Sequence, residues 1–106
     1  MKKVYLNISY LRNKITQGYA LDISRSGIGI ACLKRIRSNS LLKFSIEKSR
    51  LLPLKGRVVS VAKRKLKPYI YRIGIKFVVS GQEQKRLLAR FIRRIEKRKR
   101  ARLFLI

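Results

Sequence analysis

Residues 21–30 have the sequence Leu21-Asp22-Ile23-Ser24-Arg25-Ser26-Gly27-Ile28-Gly29-Ile30, and the fold prediction starts from them. Apolar residues alternate with other residues up to Ile23 and again from Ile28, which predicts two strands joined by a tight polar turn. The turn keeps a carboxylate, a hydroxyl group and a glycine at fixed spacing. Asp22 is the only aspartate of the chain, so its place in this turn makes the turn a candidate site.

The two-residue period extends to both sides of this stretch and predicts six strands, at residues 4–11, 19–23, 28–32, 42–47, 56–61 and 69–79. In the second strand it places Tyr19, Leu21 and Ile23 on one face. In the sixth it places Arg72, Gly74 and Lys76 opposite the apolar face. We therefore expect a mainly β fold, a six-stranded antiparallel barrel, because closure leaves no exposed edge.

The period changes after the last strand, and a C-terminal helix is expected. Ser80-Gly81-Gln82-Glu83 matches a capping box, in which the Glu83 side chain bonds back to the Ser80 amide. An apolar stripe at helical spacing follows, formed by Leu87, Leu88, Phe91, Ile92 and Ile95. Residues 1–96 are thus predicted to form one domain, and residues 97–106 a tail that is first basic and then apolar.

Composition limits the possible functions. The chain has 106 residues, 29 Lys and Arg, four acids, no histidine and a net charge of +25. Such a charge attracts polyanions, so nucleotides, nucleic acid, anionic lipid or an acidic protein are the candidate partners. With so few acids and no histidine, general acid–base catalysis has little to use, so we expect no enzyme, no metal site and no cofactor.

The single cysteine, Cys32, lies in a strand pattern and is expected to be a buried structural thiol. One cysteine cannot form an intramolecular disulfide, which suits a reducing compartment. The chain shows no signal-peptide pattern, and no apolar run approaches the roughly 20 residues of a membrane span. We therefore expect a cytoplasmic protein.

Asp22-x-Ser24-x-x-Gly27 resembles the (Asp/Asn)-x-Ser-x-x-Gly signature of PilZ domains, which bind the bacterial messenger cyclic di-GMP. Gly56-Arg57-Val58-Val59 and Ile73-Gly74-Ile75-Lys76-Phe77 resemble later strands of that family. The resemblance covers roughly residues 4–96 and implies a PilZ-like barrel and a non-catalytic regulatory role. It also implies that Asp22, Ser24 and Gly27 contact the nucleotide, with the carboxylate accepting from the guanine N–H groups.

Nucleotide-binding members of the family carry an Arg-x-x-x-Arg arm before the first strand. Here Met1-Lys2-Lys3 stands before that strand, and Arg12 is followed four residues later by Thr16. Other cations are then needed at the turn. Lys2, Lys3 and Arg25 are our candidates, and so is the Arg98–Arg102 run, either folded back or supplied by a second subunit.

Three alternatives remain open at this stage. Asp22 and Ser24 could bond only their own turn, which leaves a degenerate PilZ adaptor that binds an acidic protein. The charge could serve nonspecific nucleic-acid binding, which would weaken steeply with salt. The basic amphipathic helix and Leu103–Ile106 could contact an anionic membrane surface or form a homodimer.

Overall fold

The computed structural model of the chain describes residues 3–10, 14–65 and 67–100. Within these residues lie six strands and one helix: β1 (Tyr5–Tyr10), β2 (Lys14–Ile23), β3 (Gly27–Cys32), β4 (Leu41–Ile46), β5 (Leu54–Lys63), β6 (Tyr71–Val78) and α1 (Gly81–Arg100). The predicted strands are all present, although β2 and β5 are longer than their apolar alternation indicated.

The strands close into an antiparallel barrel in the order β1-β2-β3-β6-β5-β4. This confirms the predicted fold class. Closure pairs both sides of each strand, so the barrel presents no open edge to a second chain. The turn at Ser24–Gly27 joins β2 to β3, and β6 lies on the other side of β3.

The barrel interior is filled by the apolar face of each strand. Fully buried side chains include Leu6 of β1, Ile30 of β3, Leu42 and Phe44 of β4, and Ile73 of β6. Cys32 is also buried and free, as the strand pattern indicated. Burying each large aliphatic or aromatic side chain contributes about 1.5–3 kcal/mol to the stability of the folded state. This core is therefore the main source of stability.

The predicted face of β2 is wrong. Ala20 lies inside the barrel opposite Ile30, whereas Tyr19 packs against other tyrosines. A β-bulge between Ala20 and Asp22 adds one residue to β2, so the alternation changes phase before Ile23. Simple alternation assumes an unbroken ladder and could not show this change.

α1 packs across the barrel through its apolar stripe. Phe91 is fully buried, with its ring centroid 5.6 Å from that of Phe44 and 6.5 Å from that of Phe77. Leu88 and Ile95 are buried on the same face. The helix continues past this stripe to Arg100, and residues 101–106, which include the predicted apolar tail end, lie outside the described residues.

The helix start differs from the predicted capping box. The Ser80 amide donates to Oε1 of Gln84 at 2.7 Å, where a bond to Glu83 was expected. Gly81 takes a φ of 77°, a left-handed conformation that glycine adopts without steric cost. Gln84, one position after Glu83, therefore accepts the bond from the Ser80 amide.

Candidate functional site

The bulge in β2 determines where the Asp22 side chain points. Ala20 pairs with the inward residue Ile30, and Ile23 pairs with the inward residue Ile28. Asp22 pairs with Gly29 between them and projects outward, with 63% of its side chain exposed. Without the additional residue, the alternation from Ala20 would direct this carboxylate into the core, where an unpaired charge is very costly. The bulge thus delivers Asp22 to the barrel surface.

A row of four paired residues crosses the outer surface of the barrel at this level. Asp22 of β2 pairs with Gly29 of β3, Gly29 with Gly74 of β6, and Gly74 with Ser60 of β5. Ser60 follows a second bulge, between Val58 and Ser60. Bulges therefore re-aim the polar residue at each end of the row, while its two central positions carry no side chain.

Arg72 of β6, two residues before Gly74, extends its side chain to the Asp22 end of this row. Its Nη2 lies 2.6 Å from Oδ2 of Asp22, an ion pair in which the arginine side chain is 47% exposed. A Cβ added to Gly29 would lie 2.7 Å from Oδ1 of Asp22 and 2.9 Å from Nη2 of Arg72. The pair therefore rests directly on the bare backbone of β3. Gly29 is needed because any side chain there would occupy the same space.

The Ser24 side chain stabilises its own turn. Its Oγ accepts from the backbone amides of Ser26 and Gly27, each at 3.3 Å, and the Ser24 amide donates to the Gly27 carbonyl at 2.9 Å. These bonds hold the chain where β2 turns into β3. Of the two side chains, Ser24 bonds its own turn, whereas Asp22 pairs with Arg72 across the sheet.

Gly27 permits a close approach, but to the protein's own backbone. A Cβ at this position would collide with the carbonyl oxygen of Ile75 on β6. The Phe77 amide also donates to the Ser26 carbonyl at 2.9 Å, next to this contact. Gly27 therefore lets β3 and the turn lie against β6.

The other predicted cations lie at the edges of this surface. Arg25 is exposed and lines a cleft of about 620 Å³ between the turn and α1, together with Ser24, Lys85 and Arg93. The Lys3 Nζ lies 4.7 Å from the centroid of the Tyr19 ring. Lys2 and residues 101–102 of the predicted Arg98–Arg102 run lie outside the described residues, while Arg98 donates to the Glu47 carbonyl at 3.3 Å.

A cluster of three tyrosines borders the row. The ring centroid of Tyr19 is 6.0 Å from that of Tyr5 and 5.0 Å from that of Tyr69. Arg64 Nη1 donates to the Tyr19 hydroxyl at 3.0 Å. Burial raises the pKa of the Tyr69 phenol above its ordinary value of 10.0, and the neighbouring tyrosines add to the shift. Register pairs Tyr19 with Ala31 and Ala31 with Arg72, so the cluster neighbours the Asp22–Arg72 pair.

Comparison with known proteins identifies the family. A family model of the PilZ domain matches residues 5–94. The chain belongs to the PilZ domain family. A search of curated proteins found no match.

Solved PilZ structures share the fold at low sequence identity. One is the PilZ domain with c-di-GMP of YcgR from Escherichia coli, with a TM-score of 0.74 and 14% identity over 98% of this chain and 89% of that one. Another is the PilZ domain of CeSA from a cellulose-synthesizing bacterium, with a TM-score of 0.68 and 12% identity over 90% of this chain and 94% of that one. At these identities the likeness establishes the PilZ fold.

Among the described residues of this PilZ domain, no cysteine, aspartate and glutamate side chains come together as a group that could hold a metal ion. In the same part of the chain, no helix has the length and apolar character needed to cross a membrane.

Sequence reasoning missed Arg72, Gly29, Gly74 and Ser60 as neighbours of Asp22 on the candidate surface. The alternation of the sixth strand did place Arg72 and Gly74 on its polar face, which is a usable signal. Their position beside Asp22 depends on the β3–β6 register, and Ser60 depends on a bulge. Those facts arise from pairing between distant segments, which a single sequence does not display.

Proposed function

We propose that this PilZ domain is a non-catalytic regulatory module that binds cyclic di-GMP on the outer surface formed by Asp22, Gly29, Gly74 and Arg72. The observation that carries the proposal is the exposed Asp22–Arg72 pair lying over bare backbone beside the signature turn. The YcgR PilZ structure, which has c-di-GMP, is a fold relative that supports this ligand class.

The two side chains suit the two chemical parts of the ligand. A carboxylate can accept simultaneously from the ring N–H and the exocyclic amino group of guanine, and its lone pairs are numerous enough to keep a bond to arginine as well. A guanidinium offers a planar face for stacking and several donors for phosphate oxygens. Arg72 is thus our candidate for the cation that the signature turn needs.

The remaining predicted residues have supporting roles in this proposal. Ser24 and Gly27 position the turn through the amide bonds and the β6 contact described above. Arg25 and Lys3 are exposed cations near the edges of the surface and add attraction for the phosphates. Ser60 offers a hydroxyl at the far end of the row.

Titration calorimetry with cyclic di-GMP tests the site. We expect Asp22→Ala to weaken binding by about tenfold or more, since a charge-assisted hydrogen bond contributes about 1.5–3 kcal/mol. Glu83→Ala is the matched control, because it also removes an exposed carboxylate, but on α1. That control should bind as the wild type does.

Cyclic di-AMP is the matched ligand control, because it carries the same phosphate ring but presents different base edges. Weak binding of this ligand that disappears with salt, beside salt-tolerant binding of cyclic di-GMP, supports guanine recognition at Asp22. Equal affinities of the two ligands, or equal affinities of the wild type and Asp22→Ala, would show that the charge alone attracts the nucleotide.

A further inference from the structure

α1 borders a second cleft, which the nucleotide proposal does not use. It has a volume of about 840 Å³ and lies between α1 and the loop that joins β4 to β5. Its lining includes five cations and the single acid Glu83; the cations are Lys48, Arg50, Arg86, Arg90 and Arg94. All five are exposed, so the cleft is a concentrated positive surface.

The rest of the lining is mainly apolar. Leu51, Leu52, Pro53 and Leu87 contribute to it, and Leu52 is 70% exposed. These four side chains line one cleft together, and an apolar patch among cations is suited to burial against a partner. Among the residues that line this cleft, which are all described, none is aromatic.

The loop side of the cleft is held in place by hydrogen bonds. The Ser49 amide donates to the Ile46 carbonyl at 3.1 Å, and the Leu51 amide donates to the Ser49 hydroxyl at 3.1 Å. Arg98 Nη1 bonds the Glu47 carbonyl, which ties the far end of α1 to the same loop. The cleft is therefore formed in the free protein, and a partner would not have to order it.

This cleft and the signature turn lie on opposite sides of α1. The helix residues lining the cleft are Glu83, Gln84, Arg86, Leu87, Arg90 and Arg94. Those lining the cleft beside Ser24 and Arg25 are Lys85, Leu88, Ala89, Ile92, Arg93 and Glu96. At about 100° of rotation per residue these two sets fall roughly half a turn apart, so the two surfaces are separate.

We propose that the cleft between α1 and residues 48–53 docks an acidic segment of a partner protein that carries leucine or phenylalanine between its carboxylates. The cations match the carboxylates, and the apolar lining matches the interspersed side chains. The proposal does not depend on nucleotide binding at Asp22.

The chemistry of the lining favours a protein segment over other polyanions. Single-stranded nucleic acid is bound by aromatic rings on which bases stack, and the lining offers leucine and proline in their place. A membrane surface is broad, whereas these apolar side chains line a cleft that a narrow chain can enter. A peptide satisfies both the charge and the shape.

The test uses fluorescence anisotropy with the full chain and a labelled synthetic peptide in which glutamate and leucine alternate. Reversing two cleft cations, with Arg86→Glu and Arg90→Glu together, should weaken binding by about tenfold or more. Lys85→Glu with Arg93→Glu is the matched control, because it makes the same change of net charge on the opposite side of α1. That control should lose much less affinity.

Further arms separate the charge from the apolar contact. Leu52 is 70% exposed, so Leu52→Ser should leave the fold intact, and we expect it to weaken peptide binding as well. A peptide of alternating glutamate and serine should bind more weakly than the leucine peptide. Equal losses in the two charge-reversed variants, or equal binding of the two peptides, would overturn the proposal. The proposal would also be overturned if the variants at Leu52 and Arg90 lost more affinity for oligothymidylate or for phosphatidylglycerol vesicles than for the peptide.

Discussion

Arg72 on β6 reaches across Gly29 of β3 to the carboxylate of Asp22 on β2, with 2.6 Å between Nη2 and Oδ2. The two residues are 50 positions apart in the sequence and lie on strands that do not pair with each other. An ion pair this exposed contributes only about 0–1 kcal/mol to folding. A ligand can therefore exchange with part of the pair at little cost to the protein.

Replacing Arg72 should affect the ligand more than the fold. We expect Arg72→Ala to lower the affinity for cyclic di-GMP by about tenfold or more, since hydrogen bonds to a charged group contribute about 1.5–3 kcal/mol. Arg72→Lys should recover part of the loss, because lysine keeps the charge but not the planar stacking surface. The free energy of unfolding should change by less than about 1 kcal/mol in both variants. Calorimetry and urea unfolding measure the two quantities.

Lys43→Ala is the control for that comparison. Lys43 is an exposed cation on β4, which lies opposite β3 in the barrel order, so the substitution removes one charge far from the pair. If Lys43→Ala weakens the nucleotide as much as Arg72→Ala, the domain attracts it by overall charge.

Two glycines of β3 should respond differently to the same change. A methyl group at Gly29 meets the ends of Asp22 and Arg72, which are flexible side chains that can move. We expect Gly29→Ala to leave the fold nearly as stable but to disrupt the pair and weaken the nucleotide. A methyl group at Gly27 meets the Ile75 carbonyl, which is part of the β6 backbone. Gly27→Ala should therefore lower the free energy of unfolding by about 1–3 kcal/mol, a typical cost of overpacking.

Urea unfolding and calorimetry on both variants check this contrast. The result that contradicts it is a Gly29→Ala protein that binds cyclic di-GMP as the wild type does. That result would mean that the ligand does not need the bare backbone beneath the pair.

The strands of this barrel could be predicted because one face of each is buried, which imposes a two-residue period. β1 and β4 follow that period without interruption. The inward-facing residues of β2 and β5 were harder to predict. Each of these strands contains a bulge that adds one residue, and no distinct composition marks it. The inward direction of a residue after a bulge depends on its partner strand.

The signature turn was recognisable from its spacing, but its chemistry was only partly so. Asp22 is exposed, as a contact with a ligand would require, whereas its partner Arg72 could not be found without the pairing of β3 with β6. The Ser24 bonds within the turn correspond to the alternative to ligand binding that the sequence also allows. Hydrogen bonds within a turn can therefore be predicted from the sequence, whereas contacts between distant strands cannot.

Cys32 should make the free energy of unfolding fall as the pH becomes alkaline. Burial raises the pKa of its thiol above the ordinary value of 9.0. The folded state therefore favours the neutral thiol. Its contribution to stability is complete below pH 9.0 and is lost as the pH rises through the higher pKa of the folded protein. The difference in free energy of unfolding between the wild type and Cys32→Ala should shrink on the alkaline side.

Urea unfolding of both proteins across this range gives that difference directly. The subtraction removes the parallel alkaline effect of Tyr69, whose pKa is also raised. A difference that grows with pH would contradict the prediction and would mean that the folded state favours the thiolate.

Phe91 should be the main anchor of α1 on the barrel. Its ring is fully buried against Phe44 and Phe77, so Phe91→Ala leaves a cavity between the helix and the sheet. We expect a loss of about 3–5 kcal/mol in the free energy of unfolding. Ile92→Ala, next to it on the helix but only half-buried, should cost clearly less. Urea unfolding compares the two, and equal losses would mean that α1 does not rest on the barrel through the Phe91 ring.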